Sequence, residues 1–160
     1  MMELLVEERM EIRAERTAVW ALLRRTGWWL NDGEIDPAFL RREDTAEFTV
    51  ALEDGAHSVV TRVEVDAGRR VLFLWGTQQD GDDGYEHGVT RVELTISPES
   101  TDAGMTEVVV AERGFESLGF DDEQRAQAVR ENSEGWRIEL NALRRHLEGT
   151  STAPLPEDAD

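Results

Sequence analysis

From Ala126 to Leu147, one stripe of positions recurs every three or four residues: Ala126, Val129, Ser133, Trp136, Leu140, Leu143 and Leu147. That spacing puts all seven on one face of an α-helix, and Glu, Arg and Gln fill most of the rest. The stripe predicts a helix over about residues 122–148. A lone amphipathic helix of this length must cover something apolar. The segments before it read as strands, so the partner is a sheet.

The rest of the chain falls into short elements. Residues 5–14 alternate, with Val6, Met10 and Ile12 on one side and Glu7, Arg9 and Glu11 on the other; Glu8 interrupts the apolar side. Residues 15–25 switch to helical spacing through Val19, Trp20, Leu22 and Leu23, with Thr17 as the candidate cap and Gly27 as the stop. A loop through Asn31-Asp32-Gly33 and Asp36-Pro37 holds room for a short second helix. Strands follow at 48–52, 58–65, 70–75, 89–97 and 106–112. In the second of these, alternation puts Val59, Thr61, Val63 and Val65 on one face and Arg62 and Glu64 on the other. Short turns between neighbours predict antiparallel pairing. The order strand, helix, strand meander, long helix is an α+β layout, with helices on one face of a curved sheet and space for a ligand between the layers.

Composition narrows the chemistry. The chain of 160 residues is one domain of ordinary size, expected to span residues 1–148 and to end in a disordered acidic tail at 149–160. There is no Cys, and all seventeen basic residues are Arg. Thiolate nucleophiles, zinc–thiolate sites, Schiff bases and a phosphate-loop lysine are therefore excluded. A formal net charge of -18 argues against nucleic acid and anionic membranes as partners. No apolar run is long enough to span a membrane, and the first residues lack a signal-peptide core, so a cytoplasmic protein is expected. His57, His87 and His146 stand in different elements without metal-ligand spacing, and the loop Asp80-Gly81-Asp82-Asp83-Gly84 lacks the full calcium pattern. Neither a metal nor a cofactor is expected.

Four segments carry a resemblance. They are Ile12, Ala14, Val19, Trp20 and Leu23; Arg70 to Trp75; Thr106 to Phe115; and Glu134, Gly135, Trp136, Leu140, Leu143, Leu147 and Glu148. In order and spacing, over about residues 5–148, the chain resembles the START/Bet v 1-like superfamily (SRPBCC). Within it, the chain is similar to the branch named after the activator of heat-shock protein 90 ATPase, homologue 1. The resemblance implies a helix-grip fold, a bent antiparallel sheet gripping the C-terminal helix around an apolar cavity. It also implies a small hydrophobic ligand, whether lipid-like, aromatic or polyketide-like.

The candidate cavity residues are Trp28, Trp29, Phe73, Trp75, Phe115, Phe120, Trp136 and Leu140. Two adjacent Trp cannot both point inward from an extended segment, so one of Trp28 and Trp29 is expected at a cavity mouth, at a partner surface or as a loop anchor. Gly135, costly inside a helix, marks a close approach by a strand or a ligand. Glu112 shares a face with Val108 and Val110 by alternation. Facing the cavity, it is the candidate general acid; the preferred expectation is a solvated rim, paired with an Arg. Thr61 and Thr106 are lesser inward candidates.

Three functions follow. The first is a carrier or sensor for a hydrophobic ligand, favoured by a closed apolar cavity with no inward polar group. The second is a cyclase or dehydratase using Glu112, favoured by a buried carboxyl ringed by apolar groups. The third is a stress-related chaperone-interaction module or homodimer, favoured by an exposed apolar patch including Trp28 or Trp29.

Overall fold

The computed structural model describes residues 5–31, 33–52, 55–79, 89–97, 104–115 and 121–151. The elements are β1 (Val6–Ile12), α1 (Arg16–Leu23), α2 (Pro37–Leu40), β2 (Glu47–Ala51), β3 (Ala56–Asp66), β4 (Arg70–Gln79), β5 (Val89–Ile96), β6 (Thr106–Arg113) and α3 (Asp122–Ser151). The strands form one antiparallel sheet in the order β1-β6-β5-β4-β3-β2. A curved antiparallel sheet closed by a long C-terminal helix is the helix-grip fold.

Alternation builds the inner face of the sheet. Val71, Phe73 and Trp75 of β4 lie opposite Leu94, Val92 and Thr90 of β5. Val92, Leu94 and Ile96 in turn lie opposite Glu112, Val110 and Val108 of β6. β6 then pairs with β1, so Val6 meets Glu112 and Ile12 meets Thr106. These residues, with the exception of the half-buried Trp75, are buried. Trp136, Leu140, Leu143 and Leu147 of α3 join the same apolar cluster as Val71, Phe73, Leu94 and Val110. The helical stripe read from the sequence is thus the face that meets the sheet.

Two local readings are corrected. In β3 the register shifts between Arg62 and Glu64, a bulge that places an extra residue opposite β4. Val63 is that extra residue, and beyond it the phase of the strand reverses, so Val65 no longer shares a face with Val59; Val63 and Val65 are 45% and 47% exposed, whereas Val59 is buried. Arg62 turns partly inward and binds Asp44 Oδ2 at 2.6 Å and the Arg24 carbonyl at 2.9 Å. At α1 the helix begins at Arg16 after an extended Glu15 with no side-chain cap, so Thr17 sits inside the first turn. The short α2 is capped by Asp36, which accepts from the Ala38 N–H at 2.9 Å, and Pro37 occupies the first turn. The last helix continues to Ser151, three residues beyond the predicted end.

Trp28 and Trp29 are both buried, at 1% and 3% exposure. Their segment is a turn, not an extended strand. Gly27 has φ +79, the Leu30 N–H reaches the Gly27 carbonyl at 3.0 Å, and the Asn31 N–H reaches the Trp29 carbonyl at 2.9 Å. The chain curls, and both indoles point into the molecule. Gly27 is required twice, because a Cβ there would also stand 2.5 Å from the Phe48 ring.

Candidate functional site

The sheet's inner face and the N-terminal half of α3 leave a pocket of about 500 Å³. Its described lining comes from the turn after α1 (Trp29, Leu30, Asn31, Gly33), from β4 (Trp75), and from α3 (Glu131, Asn132, Gly135, Trp136, Ile138, Glu139). Three indoles form one aromatic group on its wall. Trp29 and Trp136 have ring centroids 5.2 Å apart, Trp29 and Trp75 5.7 Å, and Trp75 and Trp136 6.2 Å. Trp28, edge-on to Trp29 at 5.7 Å, supports the group from behind. The Trp75 indole N–H donates to Ser58 Oγ at 2.8 Å, which fixes the ring relative to β3.

Gly135 is the opening in the helical wall. A Cβ built there meets nothing within 4 Å, so no strand approaches it. Of the two uses read for this glycine, the structure leaves room for a ligand and not for a backbone.

Behind the wall stands Glu112, fully buried at 0% exposure. The solvated-rim reading is therefore overturned: β6 runs on to Arg113, so Glu112 is still in register opposite Val92 and Val6. Among the described residues, no Arg pairs with it. Its Oε1 accepts from the Trp136 indole N–H at 2.9 Å and from Asn132 Nδ2 at 3.0 Å, and its Oε2 lies 2.6 Å from Thr90 Oγ1. Burial pushes the carboxyl above the ordinary glutamate range, and the three hydrogen bonds only partly oppose that shift.

The Thr90 hydroxyl has a single proton and two acceptors within reach, Glu112 Oε2 and, at 3.4 Å, the Trp75 carbonyl. With Glu112 ionised, Thr90 must donate to it. With Glu112 neutral, the acid proton goes to Thr90 Oγ1, and Thr90 turns its own proton to the Trp75 carbonyl. The neutral acid thus completes a chain from β6 through β5 to β4. The carboxyl holds two pocket-wall side chains, Asn132 and Trp136, in fixed orientations. Glu8, the polar interruption in β1, does similar work nearby: it accepts from Ser133 Oγ at 2.6 Å and Arg137 Nε at 3.2 Å.

The other candidates are placed as follows. Trp29, Trp75 and Trp136 line the pocket. Phe73, Phe115 and Leu140 are fully buried in the packed core and are not among the pocket-lining residues. Leu140 lies one turn beyond Trp136, where helix and sheet are in contact. Trp28 instead borders a smaller pocket of about 150 Å³ beside Phe39 and Phe48. Thr106 is buried and donates to the Ala14 carbonyl at 2.8 Å, while Thr61 is half-buried in β3. Phe120, His87, the acidic loop at 80–84 and residues 152–160 lie outside the described residues. Sequence reasoning missed Asn132 and Thr90. Asn132 sits beside the stripe on the helical wheel, and Thr90 shares parity with Val92, but neither signal separates a buried partner from an ordinary polar residue.

An antiparallel sheet closed on its C-terminal helix is the architecture of the Bet v 1-like class. The chain belongs within it to the family of Activator of Hsp90 ATPase homolog 1-like proteins, whose model matches residues 10–148. No curated protein matches the sequence. Among solved structures, the chain is similar to DynU16, a protein in the dynemicin biosynthetic locus, at 19% identity and a TM-score of 0.59. That match covers 94% of this chain and 49% of the other, so the chain spans about half the length of that relative. Protein MLL2253 from Mesorhizobium loti matches at 16% identity and a TM-score of 0.61, covering 92% of this chain and 99% of that one. The Aha1 dimer from Colwellia psychrerythraea matches at 15% identity and 0.54, over 90% and 96%. At these identities the likeness is one of fold. Among the described residues, no helix is long and apolar enough to cross a membrane.

Proposed function

We propose that the single domain over residues 1–148 binds a small, largely apolar molecule in the pocket beside Trp136, as a carrier or sensor. The observation that carries this reading is the pocket of about 500 Å³ walled by three indoles, with an unfilled glycine position in its helical side. That volume lies within the range of small-molecule sites, and apolar and aromatic walls with a few polar groups are their usual composition. Ile138, 51% exposed and part of the lining, gives the mouth an apolar edge.

The enzyme reading is weaker. Glu112 is buried and holds its proton well, as a general acid requires. Yet it is ringed by Thr90, Asn132 and Trp136, and both its oxygens are engaged by them. A catalytic acid must reach the reacting atom; this carboxyl reaches the wall. The interaction-module reading called for an exposed Trp28 or Trp29, and both are buried.

The test uses tryptophan fluorescence, because three of the five Trp line the pocket. Anilinonaphthalene sulfonate and a broad panel of apolar ligands are titrated into the native protein and into Gly135→Leu, which fills the open position. Saturable binding that is lost in the variant supports the reading. A folded protein that binds nothing saturably across the panel removes it.

A further inference from the structure

The polar groups on the pocket wall are of both signs. A side-chain amide has two N–H donors and a carbonyl acceptor. Asn132 gives one Nδ2 hydrogen to Glu112 Oε1 at 3.0 Å, and it keeps the second N–H and its Oδ1. Asn31 gives one Nδ2 hydrogen to the Trp28 carbonyl, accepts from the Gly33 N–H with Oδ1, each at 2.9 Å, and keeps its second N–H. The Trp29 indole N–H is buried and has no acceptor among the described residues. Those of Trp75 and Trp136 are taken by Ser58 and Glu112. Donors and an acceptor therefore stand on one wall, and of these three side chains Asn132 is the one that offers both.

Asn132 is also well placed and held still. It is half-buried in the lining of α3, three positions before Gly135, where the helix leaves open space. Residues three apart lie side by side on a helix surface, so the amide borders that opening. Its two ends are not interchangeable. Glu112 Oε1 accepts from the Trp136 indole as well as from Asn132, and with the acid proton on Oε2 it stays an acceptor whether the carboxyl is neutral or ionised. Only the N–H end of the amide can face it, which turns the carbonyl end away. Glu112 reaches no ligand itself; it sets which end of Asn132 does. An anionic ligand would meet Glu131 in the lining and the field of a chain with formal net charge -18, with no Arg or His among the described lining residues. A cationic one would face the N–H groups of Asn132, Asn31 and Trp29 with no use for them.

We infer that the ligand of this pocket is a neutral molecule whose apolar or aromatic body carries a group that both donates and accepts a hydrogen bond, a hydroxyl or a carboxamide, and that Asn132 is its polar anchor, with Glu112 as the positioning residue behind it. This rests on the pocket being a ligand site, and it names the polar group of what enters and the side chain that selects it.

The experiment compares probes of one shape at neutral pH: 2-naphthol and 2-naphthamide, which donate and accept; 2-methoxynaphthalene, which only accepts; and the anion 2-naphthoate. Binding is followed in 15N-labelled protein by the Asn132 side-chain amide and the indole N–H resonances of Trp29 and Trp136. Naphthol and naphthamide are expected to bind about tenfold tighter than the methoxy compound, as one added hydrogen bond allows, and naphthoate least. One Asn132 amide proton should shift with ligand while the other, held by Glu112, stays. Asn132→Ala is expected to bring the ratio of naphthol to methoxynaphthalene affinity close to one. Glu112→Gln, whose carbonyl still accepts from Asn132, should keep that ratio, and Glu112→Leu should lose most of it; if the Leu variant does not fold, the other two variants carry the test. Equal binding of 2-naphthol and 2-methoxynaphthalene, or a ratio unchanged in Asn132→Ala, overturns the anchor and leaves the ligand pocket standing. A ratio that survives in folded Glu112→Leu overturns the positioning role. Absence of saturable shifts with all four probes and with the broader apolar panel overturns the pocket as well.

Discussion

The two halves of α3 continue one stripe but meet different surroundings. From Leu140 to Leu147, the inward positions Leu140, Leu143 and Leu147 are buried in an apolar cluster with the sheet. From Ala126 to Trp136, the same face is half-buried at Ala126, Val129 and Ser133, and its neighbours include Glu8, Glu112 and the pocket. A regular apolar spacing therefore identifies which side of a helix faces in. It does not say whether the space there is filled. In this fold the C-terminal half holds helix to sheet, and the N-terminal half keeps a wall in place around a gap.

The sharpest way to break the comparison is to exchange the consequences of mutation in the two halves. Leu143→Ala, in the packed half, is expected to lose about 2–5 kcal/mol in chemical denaturation, with ligand-induced fluorescence changes preserved in the folded fraction. Glu112→Leu comes next. It leaves the Trp136 N–H, the Asn132 amide and the Thr90 hydroxyl without their acceptor, and about 1–3 kcal/mol is expected for each group that stays buried and unsatisfied. This loss should appear as reduced stability and as displaced Trp136 and Asn132 resonances.

Glu112→Gln is the milder probe. The amide carbonyl still accepts from Trp136 and Asn132, and its NH₂ donates to Thr90, whose proton then goes to the Trp75 carbonyl. The sign of the pH effect follows from the raised carboxyl. Between the ordinary glutamate value and the raised native value, the folded protein holds a proton that the unfolded chain has lost. The contribution to stability is thus complete below the unfolded value and is lost as pH rises through the native one. The wild type should weaken over that window by more than Glu112→Gln does, measured as the difference in denaturation midpoints across pH. A native carboxyl that titrates at or below the ordinary value by NMR would remove this effect.

The smallest effects sharpen the pocket half. Gly135→Ala should raise stability by up to about 1 kcal/mol, because the helix gains propensity and the added methyl meets open space. If it instead destabilises, something occupies that space. Ser133→Ala removes the bond to Glu8 at the half-buried helix face and should lower the midpoint by about 1 kcal/mol or less.

The same contrast explains what could be read from the chain alone. The stripe of α3 was legible because periodicity over several turns averages out single exceptions such as Ser133. The meander was legible because each strand alternates and each turn is short. The separation of Val63 and Val65 from the face of Val59 was not, because one bulged residue reverses the phase of everything after it, and nothing in the local pattern marks the bulge. The inward placement of both Trp28 and Trp29 does not follow from their adjacency, because it depends on the tight turn that starts at Gly27. Glu112 was placed on the correct face by alternation but at the wrong depth. Its burial depends on Thr90, Asn132 and Trp136, which lie 20 to 24 positions away along the chain.

The pairing of β1 with β6 also governs how the molecule is made. Val6 is matched with Glu112, so the first strand has its sheet partner only after more than a hundred residues have followed it. Growing chains are made from the N-terminus at about 5–20 residues per second, so for roughly 5–20 seconds β1 is an alternating strand with no edge to join. The last strand and the final helix arrive together at the end, and they close the sheet, the core and the pocket wall in one late event. Non-local closure of this kind is slow. A nascent or truncated chain that stops before Thr106 leaves β1 and β5 without their partner β6, and it is at this stage that the sequence is most open to aggregation.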